Sequence, residues 1–512
     1  MNRTIILEWI NQAGARFGDR ACYCCGDETI SFADVTALSR VVGTALTGVT
    51  PPAKPVAVMT GRHVYTPVCY LGVAQAGCFY APMDAELPDA RLRQMIEVAN
   101  ADVMIADKEG LARARELGFT GTLLAMEELL AGKADDGALE AAQAAVTDFS
   151  PLYMIFTSGS TGKPKGVLTG HYSLFCYLDG LNQFITLNES DVLGNQAPLD
   201  YIAAIRDIYL PLMTGARTVI IPTQMAAMPK DLFRLLNAEG VTTLCWSAAG
   251  LELPAKLGAF QTLKPEHLKR IVFSGSVIAG KYLKIWQSNL PGVRFFNQYG
   301  PTEATASCTI YEVTEAVNDE TVLPIGKPFK HYGILLLAGL DEEGETIREA
   351  KPGETGEICV RGPAVTLGYY RAPEQTAKSF RQNPLHNDYR DIIYLTGDRG
   401  RFREDGELEF LGRKDRQIKL MGHRVELTEV EKYALEIEGV EEACAAFEKK
   451  KELLYLFYTG EVTPKELTIR FRGDMPAYMV PRRLVKLEEW PRLPNGKTDM
   501  RTLNEKMTGN GK

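Results

Sequence analysis

Short apolar runs alternate with amphipathic stretches in the N-terminal part of the chain. The runs at residues 56–59, 78–82 and 103–105 predict buried strands, and the stretches at 64–76 and 90–100 predict helices between them. A second alternating block, with one helix that ends at Gly240, lies at residues 218–221, 230–239, 242–246, 270–273 and 293–296. Alternation of strands and helices is typical of an α/β fold with mostly parallel sheets. We therefore expect a large domain with two βα-layered sheets.

After residue 320 the pattern changes to short apolar segments separated by Gly and Pro turns, which predicts a β-rich subdomain. From about residue 415 the chain is expected to form a small α+β domain. Its strands are predicted at 417–420, 442–448, 453–458 and 483–488, and its helices at 428–438 and 463–473. The expected division is a large N-terminal domain, residues 1–414, and a small mobile C-terminal domain, residues 415–512.

Composition and charge narrow the class of protein. A chain of 512 residues is long enough for two or more domains. Its net charge of −8 is opposite to the basic balance of nucleic-acid binders. No apolar run approaches the ~18–20 residues of a membrane span, and the N-terminus lacks a signal-peptide pattern, so we expect a cytoplasmic protein. The ten cysteines are scattered, which favours reduced thiols, and the group Cys22, Cys24 and Cys25 lacks the second cluster of a zinc site.

A loop rich in glycine, hydroxyl and lysine side chains follows the apolar run at residues 153–156. Glycines let backbone N–H groups approach an anion, hydroxyls add donors, and lysines add positive charge. The glycine spacing is too short for a Walker A motif, and Pro164 stands where that motif needs Ser or Thr. We therefore predict a triphosphate-binding loop of another kind, formed by Thr157, Ser158, Gly159, Ser160, Thr161, Gly162, Lys163 and Lys165.

This loop and five further segments resemble the adenylate-forming superfamily, which includes amino-acid adenylation domains of nonribosomal peptide synthetases, acyl- and aryl-CoA synthetases, and luciferases. The further segments lie at residues 71–91, 297–303, 394–398, 412–426 and 494–499. Each segment alone is a weak signal, whereas all of them in the family's order extend over nearly the whole chain. The chain is most similar to stand-alone amino-acid adenylation domains, including D-alanine–carrier protein ligases.

The resemblance implies that the protein binds ATP and Mg²⁺. Tyr299 is expected to offer its ring to adenine, Asp398 to accept hydrogen bonds from both ribose hydroxyls, and Arg413 to reach the ribose or a phosphate. Thr302 is expected to bond the α-phosphate, and Glu303 to give Mg²⁺ an oxygen ligand. Further nucleotide contacts are expected from Ser274, Gly275, Asn297, Gln298 and Gly300.

The last of these segments carries Lys497 after the turn dipeptide Asn-Gly. In the family this lysine bridges the substrate carboxylate and the α-phosphate while negative charge builds up during attack. The resemblance therefore implies that Lys497 is catalytic, together with Thr302 and Glu303. Asp415 matches the family's hinge, about which the small domain swings after adenylation and brings the Gly422 loop to a thiol channel.

The segment at residues 195–209 resembles the part of amino-acid adenylation domains that binds the substrate. A gapless match places Ile202 where those relatives hold an Asp that pairs with the α-ammonium, and an apolar side chain does not compensate that charge. Asp200 lies two residues earlier and, in an extended segment, would share the same face about 6.5–7 Å away. Three alternatives stay open: a displaced amine, as in a β-amino acid; a two-residue bulge that returns Asp200 to the usual place; or an acid without an amine.

The residues predicted by the same match to line the acid pocket are small and partly polar, which favours a small or polar acid over a fatty acyl chain. Arg206 borders this pocket, where its guanidinium would hold a second carboxylate or pair with a neighbouring side chain. The set comprises Asp200, Ile202, Ala203, Arg206, Cys245, Val272, Ser274, Gln298, Ala306 and Ser307.

The acyl acceptor is expected to be another molecule, because 15 residues follow Lys497 and no Gly-Gly-x-Ser-type phosphopantetheine site is present. We expect a ligase that forms an acyl-AMP from ATP and a small, amino-bearing carboxylic acid. It would then pass the acyl group to the phosphopantetheine thiol of a separate carrier protein. The alternatives are an acyl-CoA ligase that uses free coenzyme A, a luciferase-like oxygenase, and a catalytically silent nucleotide-binding scaffold.

Overall fold

The computed structural model describes residues 5–159, 163–340, 346–414, 416–449, 451–492 and 498–508. The chain divides into two compact units. The large unit comprises Met1–Ala85, Ala99–Ile155 and Gly166–Lys414, and the small unit comprises Glu86–Val98, Phe156–Lys165 and Asp415–Lys512. Two short segments that precede the C-terminal part of the chain therefore belong to the small unit.

The first part of the chain forms a six-stranded, mostly parallel sheet in the order β6-β5-β3-β4-β7-β8. The helices and strands in this part of the chain, of which β1 and β2 join the next sheet, are α1 (Ile5–Phe17), β1 (Ala21–Cys25), β2 (Glu28–Ser31), α2 (Phe32–Thr47), β3 (Pro55–Met59), α3 (Tyr65–Gln75), β4 (Phe79–Pro82), α4 (Asp89–Ala99), β5 (Val103–Ala106), α5 (Lys108–Glu116), β6 (Thr122–Ala125), α6 (Met126–Leu130), α7 (Asp136–Gln143), β7 (Pro151–Thr157) and β8 (Lys165–Gly170).

The middle of the chain completes a nine-stranded sheet in the order β15-β14-β13-β12-β11-β9-β10-β1-β2. The strands from β13 to β1 in this order are parallel. The added elements are α8 (His171–Ile185), β9 (Val192–Asn195), α9 (Ile205–Thr214), β10 (Arg217–Ile220), α10 (Pro229–Ala238), β11 (Thr243–Ser247), α11 (Ala248–Lys256), β12 (Arg270–Ser274), α12 (Gly280–Asn289), β13 (Arg294–Tyr299), β14 (Thr309–Glu312) and β15 (Lys327–Pro328).

A third sheet of antiparallel strands, in the order β17-β16-β18-β20-β19 with β21 on β20, forms the end of the large unit. Its elements are β16 (Gly333–Ala338), β17 (Arg348–Glu349), β18 (Gly356–Arg361), α13 (Pro373–Ser379), β19 (Phe380–Gln382), β20 (Ile392–Phe402) and β21 (Leu408–Arg413).

The C-terminal part of the small unit contains a hairpin, β22-β23, and a three-stranded sheet, β24-β25-β26. Its elements are β22 (Gln417–Leu420), β23 (His423–Glu426), α14 (Leu427–Leu435), β24 (Val440–Glu448), β25 (Leu453–Gly460), α15 (Pro464–Asp474), β26 (Arg483–Lys486) and α16 (Met500–Thr508). Across the residues described, no helix combines the length and apolarity that a membrane crossing requires.

The predicted fold class is confirmed: two layered α/β sheets, a β-rich part and a smaller α+β part are all present. The elements that the prediction missed include β6, β8, α8, β9, α9, α11 and α12. Residues Ile205 to Leu212 of α9 are all buried, so this helix lacks the polar face by which a surface helix is recognised. Tyr201 is followed by a 3-10 turn at Ile202–Ala204, so the extended geometry considered for Asp200 and Ile202 does not occur.

The central parallel strands of the nine-stranded sheet are buried on both faces. In β11, Leu244 and Trp246 belong to one hydrophobic cluster, whereas Cys245 belongs to the other. The indole Nε1 of Trp246 donates to the carbonyl of Gly194, at 2.8 Å, so this buried polar atom is satisfied within the sheet. Strands covered on both sides read as continuous apolar runs, which explains why sequence pattern located β10, β11, β12 and β13.

A buried ion pair stabilises the small unit. Arg91 of α4 donates to Glu429 of α14 at 3.0 Å, and the two side chains are 7% and 4% exposed. Burial raises the pKa of the Glu429 carboxyl, and the charge of Arg91 opposes this increase. This ion pair thus connects the segment Glu86–Val98 to the C-terminal part of the same unit.

Arg91→Met is expected to destabilise the small unit by about 3–5 kcal/mol, because it leaves the Glu429 carboxylate buried without its partner. The free energy of opening is measured from hydrogen exchange of the α14 amides in increasing urea. The double variant Arg91→Met/Glu429→Leu serves as the control, and we expect it to recover most of the loss. Equal destabilisation of the single and double variants would contradict an uncompensated charge.

Candidate functional site

Tyr299, Asp398 and Arg413 form one hydrogen-bonded group in the large unit. The hydroxyl of Tyr299 donates to Asp398 Oδ2 at 2.5 Å, and Arg413 Nη1 donates to Asp398 Oδ1 at 2.5 Å. Asp398 and Arg413 are cross-strand partners on β20 and β21, whereas Tyr299 ends β13 of another sheet. The structure therefore brings together three residues that the sequence predicted to bind adenosine.

The strand that carries Asp398 is held by a second buried carboxylate, that of Glu357 on β18. Glu357 Oε1 accepts from the backbone N–H of Gly397 at 2.9 Å, and its Oε2 accepts from Lys414 Nζ at 2.7 Å. The Lys414 N–H in turn donates to the Gly397 carbonyl at 2.9 Å. Thr396 Oγ1 accepts from the Asp398 N–H at 2.9 Å. The backbone around Asp398 is thus fixed on both sides of the carboxylate.

Glu303 lies in a short 3-10 turn with Thr302 and is completely buried. Its Oε1 accepts a hydrogen bond from the hydroxyl of Tyr369 at 2.8 Å. Mg²⁺ at nucleotide sites is often held by one or two carboxylates together with the substrate phosphates. No group of three or more metal-ligating side chains occurs in the described part of the chain. The carboxylate of Glu303 is the kind of ligand that such a site uses.

The turn after β13 folds back tightly on itself. A Cβ at Gly300 would lie 2.4 Å from the Cα of Ser307, so only glycine fits there. Thr305 and Ala306 both adopt left-handed backbone conformations, with φ of 51° and 71°. The Thr305 hydroxyl donates to the Ala364 carbonyl at 2.7 Å and holds this conformation.

Arg62 fixes the segment that leads to Asp200. Its Nε donates to the carbonyl of Ile221 at 2.8 Å, and Nη1 donates to that of Ala197 at 2.6 Å. Its Nη2 donates to both the carbonyl and the side-chain oxygen of Asn195, each at 2.9 Å. The carboxyl ends of β9 and β10 are thereby joined to the loop after β3.

Asp200 lies in the turn between β9 and the 3-10 turn that contains Ile202 and Ala203. Burial and the nearby charge of Asp84 raise the pKa of Asp200 to about 7, while Arg62 opposes this increase. Near neutral pH this carboxyl therefore changes its charge readily, and a bound cation would favour the ionised form.

Arg206 is 1% exposed, and its Nη2 donates to the backbone carbonyl of Cys245 at 2.5 Å. The next residue, Asp207, is also 1% exposed and accepts from the Asn195 side-chain amide at 2.8 Å. Burial raises the pKa of Asp207 to about 6, and the charge of Arg206 opposes the increase. Arg206 and Asp207 thus place opposite charges side by side at the start of α9.

The remaining predicted acid residues lie on the parallel strands or just after them. Cys245 and Val272 are register partners on β11 and β12. Ser274 ends β12, and Gly275 follows with φ of 95°. Ser307 is 1% exposed. The structure places these residues along the carboxyl edge of the sheet, where open α/β sheets commonly bind ligands.

The adjacent residues Asn297 and Gln298 differ in their hydrogen bonding. The Asn297 side chain donates to the carbonyl of Pro324 at 2.8 Å, so one of its amide hydrogens is used within the fold. Gln298 is 3% exposed, and neither polar atom of its amide has a hydrogen-bond partner among the residues described.

The predicted phosphate loop belongs to the small unit. Ser158 Oγ donates to the carbonyl of Arg424 at 2.8 Å, and Lys163 forms an exposed ion pair with Glu97 at 3.1 Å. A Cβ at Gly159 would lie 2.2 Å from the Lys163 carbonyl oxygen, so the loop requires glycine. Thr157 Oγ1 is buried without a hydrogen-bond partner in the described ranges. Lys165 begins β8. Ser160, Thr161, Gly162, Asp415 and Lys497 lie outside the described residues.

Several residues that shape the site were missed by sequence reasoning, among them Arg62, Asp84, Glu357, Tyr369 and Lys414. Lys414 lies in the segment 412–426. Its role depends on its contact with Glu357 of β18, which the spacing of residues along the sequence does not reveal. An isolated Arg or Glu in a sequence gives no signal of its own.

Comparison with known proteins gives one consistent result. The profile of the AMP-binding enzyme family matches residues 10–370. A D-alanine–D-alanyl carrier protein ligase from Listeria monocytogenes is 30% identical over 525 residues, which cover 98% of this chain and 99% of that protein. A linear gramicidin synthase from Brevibacillus parabrevis is 30% identical over 504 residues, which cover 96% of this chain but only 6% of that much longer protein.

A solved structure agrees at the level of fold. An artificially fused adenylation–PCP di-domain, NpsA-ThdA from Klebsiella oxytoca, superposes with a TM-score of 0.81 and 21% sequence identity. The alignment covers 94% of both chains. The predicted resemblance is thereby confirmed for both sequence and fold.

Asp200→Asn is expected to remove a pH-dependent loss of stability. The folded-state pKa of Asp200, about 7, lies above its ordinary value of 3.8. The protonated Asp200 carboxyl therefore contributes fully to the free energy of unfolding below about pH 4. This contribution is lost as the pH rises through about 7, by at most about 1.4 kcal/mol per pH unit. The unfolding temperature of the wild type, measured without ligands, should thus fall relative to that of Asp200→Asn as the pH rises over this range.

The control for this experiment is Asp27→Asn at an exposed turn, which should follow the wild type at every pH. Parallel curves for the wild type and Asp200→Asn would show that Asp200 does not titrate in this range.

Proposed function

Because the chain belongs to the family of AMP-binding enzymes, we propose that it is an adenylate-forming ligase that activates a small carboxylic acid with ATP. The group formed by Tyr299, Asp398 and Arg413 carries this proposal. An ionised carboxylate only accepts hydrogen bonds, so Asp398 suits two neighbouring hydroxyls such as those of ribose. We propose that the ribose hydroxyls donate to the Asp398 oxygens in place of Tyr299 and Arg413. The Tyr299 ring would then be free to contact adenine.

In the first step, a carboxylate oxygen of the acid attacks the α-phosphorus of ATP, and pyrophosphate leaves. The substrate is MgATP, and Glu303 would supply one oxygen ligand to the ion, whose chemistry is to offset phosphate charge. Thr302 would donate to the α-phosphate, and Lys163 and Lys165 would offset the charge of the leaving phosphates. Lys497 would stabilise the charge that builds up at the α-phosphate.

In the second step, a thiolate attacks the acyl carbonyl carbon and AMP leaves. We propose that the thiol is the phosphopantetheine of a separate carrier protein, since a relative similar over its whole length is named for such an acceptor. The division into residues 1–414 and 415–512, with Asp415 as hinge, would let one site serve both steps in turn. Incubation with free coenzyme A or with a carrier protein distinguishes the two acceptors.

The acid is proposed to carry an amine that pairs with Asp200. Burial and the charge of Asp84 raise the pKa of this carboxyl to about 7, so a nearby ammonium group would stabilise its ionised form. ATP–pyrophosphate exchange against α-amino, β-amino, hydroxy and aryl acids tests the whole proposal. Exchange with no acid would favour a silent nucleotide-binding scaffold instead.

Asp398→Asn is expected to weaken ATP binding by at least about tenfold, because the amide loses the charge and one acceptor position that two ribose hydroxyls require. The dissociation constant is measured by calorimetry without the acid. Asp405→Asn, at the exposed turn that joins the same two strands, is the matched control and should bind ATP like the wild type. Unchanged ATP affinity in Asp398→Asn would argue against a ribose site here.

Lys497→Ala is expected to reduce pyrophosphate exchange by at least about a hundredfold, because it removes the cation that stabilises the adenylation transition state. Transfer from preformed acyl-AMP to the thiol should be largely retained. Lys506→Ala, an exposed lysine on α16, is the control and should affect neither step. Equal losses in both half-reactions would contradict the assignment.

A further inference from the structure

The side-chain amide of Gln298 is buried without hydrogen bonds. Gln298 is 3% exposed, and both Nε2 and Oε1 are shielded from solvent without a partner among the described residues. Buried amides are nearly always hydrogen-bonded, because an unpaired one loses its bonds to water and gains nothing in return. The preceding residue, Asn297, follows this rule by donating to Pro324. The amide of Gln298 therefore calls for a partner that the described residues do not supply.

The position of Gln298 in the sheet indicates where that partner lies. Alternate residues of a strand share a face, so Gln298 is on the same face of β13 as Phe296. Phe296 is the register partner of Val272, which in turn pairs with Cys245. Gln298 thus lies on the face of the predicted acid residues, two positions nearer the carboxyl edge of the sheet.

Two charged side chains are buried near this face. Arg206 bonds the Cys245 carbonyl, and both Arg206 and the following residue, Asp207, are 1% exposed. The negative charge of Asp207 favours the charged form of the Arg206 guanidinium, so Arg206 already interacts with a carboxylate of the protein. The Gln298 amide is neutral, with N–H donors at Nε2 and an acceptor at Oε1. A neutral group that both donates and accepts hydrogen bonds therefore matches it.

We infer that Gln298 binds a hydroxyl or carboxamide on the side chain of the acid, which makes small acids with a neutral hydrogen-bonding side chain the substrate class. This inference rests on the proposed function. It goes beyond the amine at Asp200, because it concerns the side chain of the acid and does not depend on which of the three alternatives for the amine is correct.

Matched acids that differ by a hydroxyl in place of a methyl group test the substrate class by pyrophosphate exchange. Serine is compared with 2-aminobutyric acid, 3-amino-4-hydroxybutyric acid with 3-aminopentanoic acid, and glyceric acid with 2-hydroxybutyric acid. Asparagine and leucine give the carboxamide comparison. We expect kcat/KM at least about tenfold higher for the polar member of the preferred pair, and Gln298→Met to abolish or reverse that preference. A preferred hydrocarbon or dicarboxylic acid would overturn the inference.

Thermal unfolding gives a second readout that needs no activity. Gln298→Met removes an unpaired amide, so the unfolding temperature should stay the same or rise. The matched control is Gln75→Met in α3, because Gln75 is fully buried and its amide is bonded at 2.8 Å to both Asn11 and Gln143. This control should lose several degrees, since it removes two hydrogen bonds of a fully buried amide.

An equal loss in both variants would show that the Gln298 amide is paired within the protein, and the inference would then fail. If no acid supports exchange, the proposed function fails, whereas the comparison of Gln298→Met with Gln75→Met still decides whether that amide awaits a partner.

Discussion

The hydrogen bonds of Arg62 are the constraint on which the segment that carries Asp200 depends. One guanidinium donates to three backbone carbonyls and one side-chain oxygen at or just beyond the ends of β9 and β10. The Asn195 carbonyl also accepts from the backbone N–H of Ile221 at 2.9 Å, and a planar guanidinium can satisfy the remaining acceptor positions of several carbonyls in fixed directions. The turn that carries Asp200 therefore starts from a fixed point, and its carboxyl is kept in the buried surroundings that perturb its pKa.

Buried carboxylates with specific partners recur throughout the chain. Asp398 accepts from Tyr299 and Arg413, Glu357 accepts from Gly397 and Lys414, and Glu303 accepts from Tyr369. In each case a charged oxygen is held in one orientation before any ligand is present. Orienting such groups during folding reduces the cost of ordering them during binding, and this preorganisation suits a site that must align a triphosphate and an acid.

Sequence pattern was sufficient for most of the buried strands and for the grouping of Tyr299, Asp398 and Arg413, because buried runs and the family's motifs are local signals. It failed where tertiary packing decides. The extended geometry considered for Asp200 and Ile202 is wrong, because a 3-10 turn at Ile202–Ala204 leads into the buried helix α9. The contacts of Arg62 and Glu357 join residues far apart in the chain, so only the fold reveals them.

The tight turn at Gly300 has a consequence for anyone who wishes to redirect this protein to a new acid. Because Gly300 packs against the backbone of Ser307, and Ala306 holds a left-handed conformation, larger side chains at Gly300 or β-branched ones at Ala306 would distort the backbone of this turn. Residues on β11 and β12, such as Cys245 and Val272, stand on regular strands and tolerate exchange of their side chains more readily. Libraries for altered selectivity should therefore vary the strands and keep the turn as it is.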